Sequence, residues 1–374
     1  MKNRSMTRRT FLQRAGGIAV GLGFVPLGGC ETITVTPRIT GGDVAFLSPL
    51  DLDPAQGGFY VENGAEGAIG GWTMPDLDPA TWSLTIDGLV ATPLTLGLAD
   101  LEAEPAVTLL KTMRCITDSN EFPGLIGTTL WSGIPLRLFL DRAGIDRTRA
   151  HRLRIYGTDG FTNNLKLDDV YRDFGPDEFE PMLATHMNGR PLTREHGRPA
   201  RLFVFNDYGY RSVKWIARIE ATESDEVFGT YQQVLGFSDD SVIRVSSKIT
   251  NPVFNQVLPA GTMLVSGFAV SGFGAVTRVE VSFDGGPFQP ARLVPFDELL
   301  TDEPDLAHAR QVANGLAFPF RSVWVKWTIR WDATPGTHEI RVRATDAAGN
   351  IQEDNDFTFE DGFNPIPAVT VTVE

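Results

Sequence analysis

Cysteine is almost missing from this chain: its 374 residues contain two, Cys30 and Cys115. That rules out a disulfide framework, and no Cys-x-x-Cys-His string is present to carry a covalent haem. Histidine is scarce too. His151, His186, His196, His308 and His338 are scattered, none close to another His or a Cys, so a zinc site has little to build on. No Gly-x-Gly-x-x-Gly opens a helix, and no Gly-x-Ser-x-Gly elbow occurs. Beyond the N-terminal segment no apolar run is long enough to span a bilayer. Basic residues are few, 33 against 47 acidic, for a net charge of −14. A chain this acidic repels nucleic acid and anionic lipid.

What is present begins with an export signature. Arg8-Arg9-Thr10-Phe11-Leu12 precedes an apolar, Gly/Ala-rich run from Ala15 to Leu27. A basic stretch followed by an apolar one is a secretory signal, and the paired arginines resemble the twin-arginine type. The segment closes on Leu27-Gly28-Gly29-Cys30, which resembles a lipoprotein box. The expectation is an exported protein of the periplasm or cell envelope, either lipid-anchored at Cys30 as its membrane attachment or cut as an ordinary signal near Gly29. Loss of residues 1–30 would remove five positive charges and leave 28 basic residues against 47 acidic. Cys115 would then be the only thiol, better suited to burial or a metal than to a disulfide.

The rest has two rhythms. Residues 31–57 read as a tether, 58–245 as one domain and 246–374 as another. In the first domain Trp82 to Ile86 alternates as a half-buried strand does, and Asp87-Gly88 turns the chain. Leu94 to Glu104 and Pro135 to Ala143 read as helices, the second ended by Gly144. Arg201 to Phe205 and Lys214 to Glu220 read as buried strands. Irregular mixing of this kind indicates an α+β fold. The second domain is nearly all strand. Val279, Val281 and Phe283 share a face before Asp284-Gly285-Gly286; Val323 to Trp331 and Ile340 to Ala344 give two more apolar faces. An all-β Ig-like sandwich follows, with Pro252 and Pro259 in the linker before it.

One polar cluster stands out. His186-Met187-Asn188-Gly189-Arg190-Pro191-Leu192 is followed by Glu195-His196-Gly197-Arg198-Pro199-Ala200-Arg201, then by Arg211-Ser212-Val213-Lys214-Trp215. Converging Arg and Lys donors suit a phosphate-bearing ligand. Spacing alone leaves a solvated face of ion pairs open as well.

These strings resemble the molybdopterin-binding domain of the sulfite oxidase family. Leu130-Trp131-Ser132-Gly133-Ile134-Pro135-Leu136 is similar to the family's run after its cysteine. Gly267-Phe268-Ala269, Val279 to Gly286 and Ala344-Thr345-Asp346 resemble its dimerisation domain. The resemblance implies a molybdenum–molybdopterin cofactor with Cys115 as the protein's ligand to the metal. It implies that His196, Arg201, Ser212, Val213 and Lys214 hold the pterin and its phosphate. Asp159, and Tyr60 and Asn63 in Phe59-Tyr60-Val61-Glu62-Asn63, become further contacts.

The chain also departs from the sulfite-oxidising members. Glu62 stands where they have arginine and Gly64 where they have histidine; Ile116 to Asn120 lacks their arginine; their active-site tyrosine falls near Val234 or Leu235, with Tyr231 in another register. Sulfite is a dianion, so Glu62 in place of an arginine opposes it, with Arg211 expected to supply some positive field. The implied function is oxygen-atom or electron transfer on a small substrate other than sulfite, with electrons passing to or from an external carrier such as a periplasmic cytochrome, and with a homodimer as the family's assembly. Sulfite dehydrogenase and sulfoxide reductase activities are the alternatives within the family. A cofactor-free Ig-like binding lipoprotein is the alternative outside it.

Overall fold

The computed structural model describes residues 56, 58–62, 73–118, 124–175, 178–295, 298–299, 318–354, 356, 360–362 and 364–374. The signal, Cys30, nearly all of the tether, Asn63, Gly64, Ser119 and Asn120 lie outside the described residues.

The first half is built on two sheets. One runs Leu94–Gly97, Ser83–Gly88, Ile216–Thr222, Arg152–Gly157, Thr162–Lys166 in spatial order. Its Ser83–Gly88 strand alternates as expected, with Leu84 and Ile86 fully buried, and it lies parallel to Ile216–Thr222. The other sheet joins Val107–Arg114, Ile126–Pro135, Met182–Met187 and Arg190–Pro191, with Arg201–Phe203 also on Met182–Met187. The helix Leu136–Ala143 buries Leu136, Phe139, Leu140 and Ala143, the i, i+3, i+4, i+7 stripe of an amphipathic helix. It stops on Gly144, whose φ of 67° is the left-handed cap that glycine adopts without a Cβ penalty.

Leu94 to Glu104 is not one helix. Leu94–Gly97 is a strand pairing antiparallel with Ser83–Gly88, and only Leu98–Glu102 is helical. The open edge of Ser83–Gly88 offers ladder hydrogen bonds that outweigh the helical preference of so short a segment.

The second half is the expected two-sheet sandwich. Ser246–Asn251, Gly261–Val270, Val325–Ala333 and Arg292–Leu293 form one sheet. Val257–Leu258, Ala368–Val373, Gly336–Asp346, Val276–Phe283 and Gln289–Pro290 form the other. Between them pack Val279, Val281, Val325, Trp327, Trp331, Ile340, Val342 and Ala344. Asp284 and Gly285 both take positive φ in the tight turn after Phe283. Pro252 and Pro259 are not in a linker. They lie between Ser246–Asn251 and Gly261–Val270, which already pair as strands of the sandwich.

The halves are sewn together beside Cys115. Thr112 donates its N–H to Ser322 O (2.9 Å), and its hydroxyl accepts from Trp324 N–H (3.1 Å). Lys111 Nζ donates to Arg321 O at 2.7 Å.

Candidate functional site

Cys115 leaves the end of the strand Val107–Arg114 and faces a cleft of about 900 Å³, its open mouth included. Its N–H donates to Leu125 O (2.8 Å) and its carbonyl accepts from Asp118 N–H (3.1 Å), so the thiol rides on a closed turn. Sγ lies 3.0 Å from the Thr117 hydroxyl. Burial, then the Glu62 carboxylate, push this thiol up to about 12.

Across the cleft stand the residues singled out from the cluster. Tyr60, Cys115, Asp159, His196, Arg201, Ser212, Val213 and Lys214 all line the same space. Cys115 and Lys214, 99 positions apart in sequence, meet because Arg201–Phe203 docks on Met182–Met187, and Ser212 to Lys214 lead into Ile216–Thr222. Arg201 is 2% exposed; it donates from Nη1 to His196 O (3.2 Å) and from Nη2 to Ser212 O (2.8 Å), above the Trp131 ring at 5.4 Å. Its buried Nε has no hydrogen-bond partner among the described residues. Burial pulls this guanidinium down to about 10. Lys214 Nζ donates to Glu195 O (2.7 Å); burial and then Arg201 lower it to about 7. Ser212 Oγ accepts from Val204 N–H (3.0 Å), leaving its own proton to donate.

His196 is not one of the cations. Burial holds it down at about 4, and Nε2 lies 3.0 Å from the carbonyl of Gln56, so this nitrogen carries the proton and Nδ1 is left as an acceptor. Asp159 caps its own turn, accepting from Phe161 N–H at 3.1 Å, and burial raises its carboxyl.

Other members of the sequence cluster do not converge. Arg198 pairs with Asp76 at 3.0 Å, Arg190 is exposed, and His186 bonds to Thr185 on its strand. Arg211 does not lend its field to the cleft. Its guanidinium is buried against Asp207, Asp239 and Asp169, three carboxylates that absorb its charge.

Tyr231 does reach the cleft, from the helix Thr230–Leu235, along with Phe161, Leu235 and Phe237. In sequence it stood out of register with the family's tyrosine, and its nearness to Val234 and Leu235 was the signal available. Burial, then Glu62 and Cys115, raise its phenol, so it stays protonated. Glu62 itself lines the cleft.

Two family models match the chain. The oxidoreductase molybdopterin binding domain covers residues 71–228, and the Mo-co oxidoreductase dimerisation domain covers 240–360. The chain belongs to the sulfite oxidase family of molybdopterin oxidoreductases. Among curated members of this family, mitochondrial sulfite oxidase of Homo sapiens is 30% identical over 320 residues, covering 75% of this chain and 55% of its own. NAD(P)H nitrate reductase of Hordeum vulgare is 28% identical over 355 residues, 82% of this chain and 37% of its own. The chain spans about half the length of the mammalian sulfite oxidases it matches. In fold it is similar to the sulfane dehydrogenase SoxCD of Paracoccus pantotrophus, with a TM-score of 0.63, 23% identity and 80% of each chain covered.

The family's cofactor is molybdenum held by molybdopterin, and the residues here fit it. Among the described residues no group of three or more His, Cys, Asp and Glu could hold a metal by itself. A metal at Cys115 would bring most of its ligands with it, as a pterin dithiolene does. Arg201 and Lys214 are cations that burial destabilises, which an arriving phosphate would relieve.

Lys214 makes the fit measurable. Its folded value near 7 lies below its ordinary 10.5, so between those values the unfolded chain binds the proton and the folded chain does not. Cofactor-free protein should gain stability as pH rises through that window and lose it on return below 7. Melting temperature against pH should show this slope in wild type and lose it in Lys214→Met. Bound phosphate, by restoring the proton, should flatten it as well.

Proposed function

We propose that this protein is an exported molybdopterin-dependent oxidoreductase that transfers oxygen atoms or electrons at a molybdenum ligated by Cys115, on a substrate other than sulfite. One observation carries the reading: the chain's lone described thiol shares a cleft with Arg201, Ser212 and Lys214, in a domain that matches the molybdopterin-binding model. When bound, the cofactor supplies two-electron redox chemistry.

The chain's own residues prepare the cleft. Cys115 enters protonated, and ligation releases that proton. Arg201, Lys214 and the Ser212 hydroxyl are placed to hold a phosphate, with Arg201 braced by two carbonyls so that its fork keeps one orientation. Neutral His196 is fixed in one tautomer by Gln56 and accepts at Nδ1. Tyr60 and Tyr231 keep their phenolic protons and can donate into the cleft. Phe161, Leu235 and Phe237 narrow its wall and limit water. An oxyanion would meet Glu62 where the sulfite-oxidising members have arginine, which supports a different substrate.

Electrons would pass to an external carrier such as a periplasmic cytochrome. The domain over residues 240–360 supports a homodimer. The segment up to Cys30 supports twin-arginine export and a lipid anchor.

Metal analysis of protein purified from an exporting host tests the core of this reading. About one molybdenum per chain in wild type, and a lower content in Cys115→Ser, is the expected result, since the variant keeps the phosphate contacts but loses the chain's one direct ligand to the metal. Wild-type protein that carries no molybdenum under those conditions would refute it.

A further inference from the structure

The turn that presents Cys115 is held from outside its own domain. Asp118, three residues after the thiol, is fully buried. One of its carboxylate oxygens accepts from Leu125 N–H (3.1 Å) and from Lys248 Nζ (2.6 Å). The other accepts from Arg114 Nε (3.0 Å). Arg114 also donates from Nη2 to the Asp118 carbonyl (2.7 Å) and from Nη1 to Asn364. Arg114 immediately precedes the thiol, and Asp118 closes the turn after it. Lys248 and Asn364 belong to the sandwich half, Lys248 from the strand Ser246–Asn251. That strand lies tight against its neighbour Gly261–Val270. A Cβ on Gly267 would sit 1.9 Å from the Lys248 carbonyl, so only glycine lets the two strands close this far.

We propose that Asp118 and Lys248 are positioning residues for the Cys115 sulfur, through which the β-sandwich sets the orientation of the thiol in the cleft. Neither touches the reacting atoms. Three charged groups and three backbone N–H groups immobilise a four-residue turn on both sides of one sulfur, more restraint than a surface loop needs for stability. A buried carboxylate shared by two cations is also a costly device if it only adds stability, because an apolar packing would do as well. It gives orientation instead. The inference rests on Cys115 being the metal ligand, and molybdenum analysis tests that separately.

The test uses the full chain in two states. In cofactor-free protein, the rate of Cys115 alkylation by iodoacetamide reads the freedom of the turn. In molybdenum-loaded protein, the sulfur-to-metal absorption band and the Mo(V) electron paramagnetic resonance read its orientation. Lys248→Met should raise the alkylation rate at least about tenfold, the opening expected when one charge-assisted hydrogen bond is lost, and should shift both spectra. Lys248→Arg should restore the wild-type rate and spectra. Asp118→Asn with Lys248→Met removes one charge of each sign and leaves the net charge unchanged; it should behave as Lys248→Met does, which separates orientation from local field. The proposal is overturned if the Met variant and the double variant melt earlier but keep wild-type alkylation and spectra, since the cluster would then be structural only. It is also overturned if the double variant alone returns to wild type, since field and not position would be at work.

Discussion

Arg201→Met is expected to cost the protein its cofactor while costing the fold little. The guanidinium is a buried cation that donates to two carbonyl oxygens and, at 3.8 Å, to the Met113 sulfur, with Nε left over. Burial disfavours its charge enough to lower it to about 10, so in the cofactor-free protein the charge is a liability. Methionine removes that liability, keeps contact with Trp131 and Met113, and leaves two carbonyls wanting donors. The opposed effects, each of about 1–3 kcal/mol, should leave a net change within about 2 kcal/mol. A phosphate in the cleft loses a charge-assisted fork worth about 1.5–3 kcal/mol, or roughly 10- to 100-fold in retention. Denaturant unfolding and pterin content, measured on the same preparations, check the two halves. A variant that unfolds several kcal/mol more easily but keeps full pterin would reverse the assignment and make Arg201 a structural residue.

The second large effect concerns the charge at residue 62. Molybdenum-loaded Glu62→Arg should oxidise sulfite with a kcat/KM about a hundredfold above that of wild type. The substitution changes the cleft by two charges. At an effective dielectric near 20 a unit charge a few ångströms away is worth roughly 3–4 kcal/mol. Solvent at the open mouth and salt should reduce the two-charge total to about 3 kcal/mol, which is about a hundredfold. Glu62→Gln should fall between. The ionic-strength dependence should change sign along the series, with salt helping sulfite in wild type and hindering it in the arginine variant. Wild-type protein with a full complement of molybdenum and sulfite turnover equal to that of the variant would end the claim that sulfite is disfavoured.

The sequence made the cleft's floor readable and its walls less so. Cys115, His196, Arg201, Ser212 and Lys214 could be selected because their residue types carry the chemistry and short strings fix their spacing; they do line one cleft. The helix Leu136–Ala143 was readable for a similar reason, a proline start, a glycine stop and an apolar stripe. Leu94–Gly97 was not, because its strand character comes from a partner strand rather than from its own four residues. The neutral state of His196 and the pairing that absorbs the charge of Arg211 were hidden in the sequence for one shared reason. Charge state and field depend on burial and on neighbours far along the chain: Gln56 for His196, Asp169 and Asp239 for Arg211. Lys248 was invisible as a site residue because the link from a sandwich strand to Asp118 spans 130 positions.

The parallel pairing of Ser83–Gly88 with Ile216–Thr222 has a consequence for the order of assembly. Ile216–Thr222 is the central strand of its sheet, with Ser83–Gly88 on one side and Arg152–Gly157 on the other. Neither flanking strand bonds the other, so that sheet exists only after the central strand has entered. Ser212, Val213 and Lys214 lie directly ahead of that strand. That stretch of the cleft therefore forms in the same event that closes the sheet, after contacts between residues more than a hundred positions apart have been made, the slowest kind to form. Arg201 and Cys115, carried by the other sheet, do not depend on that strand, so the two sides of the cleft have separate requirements for folding.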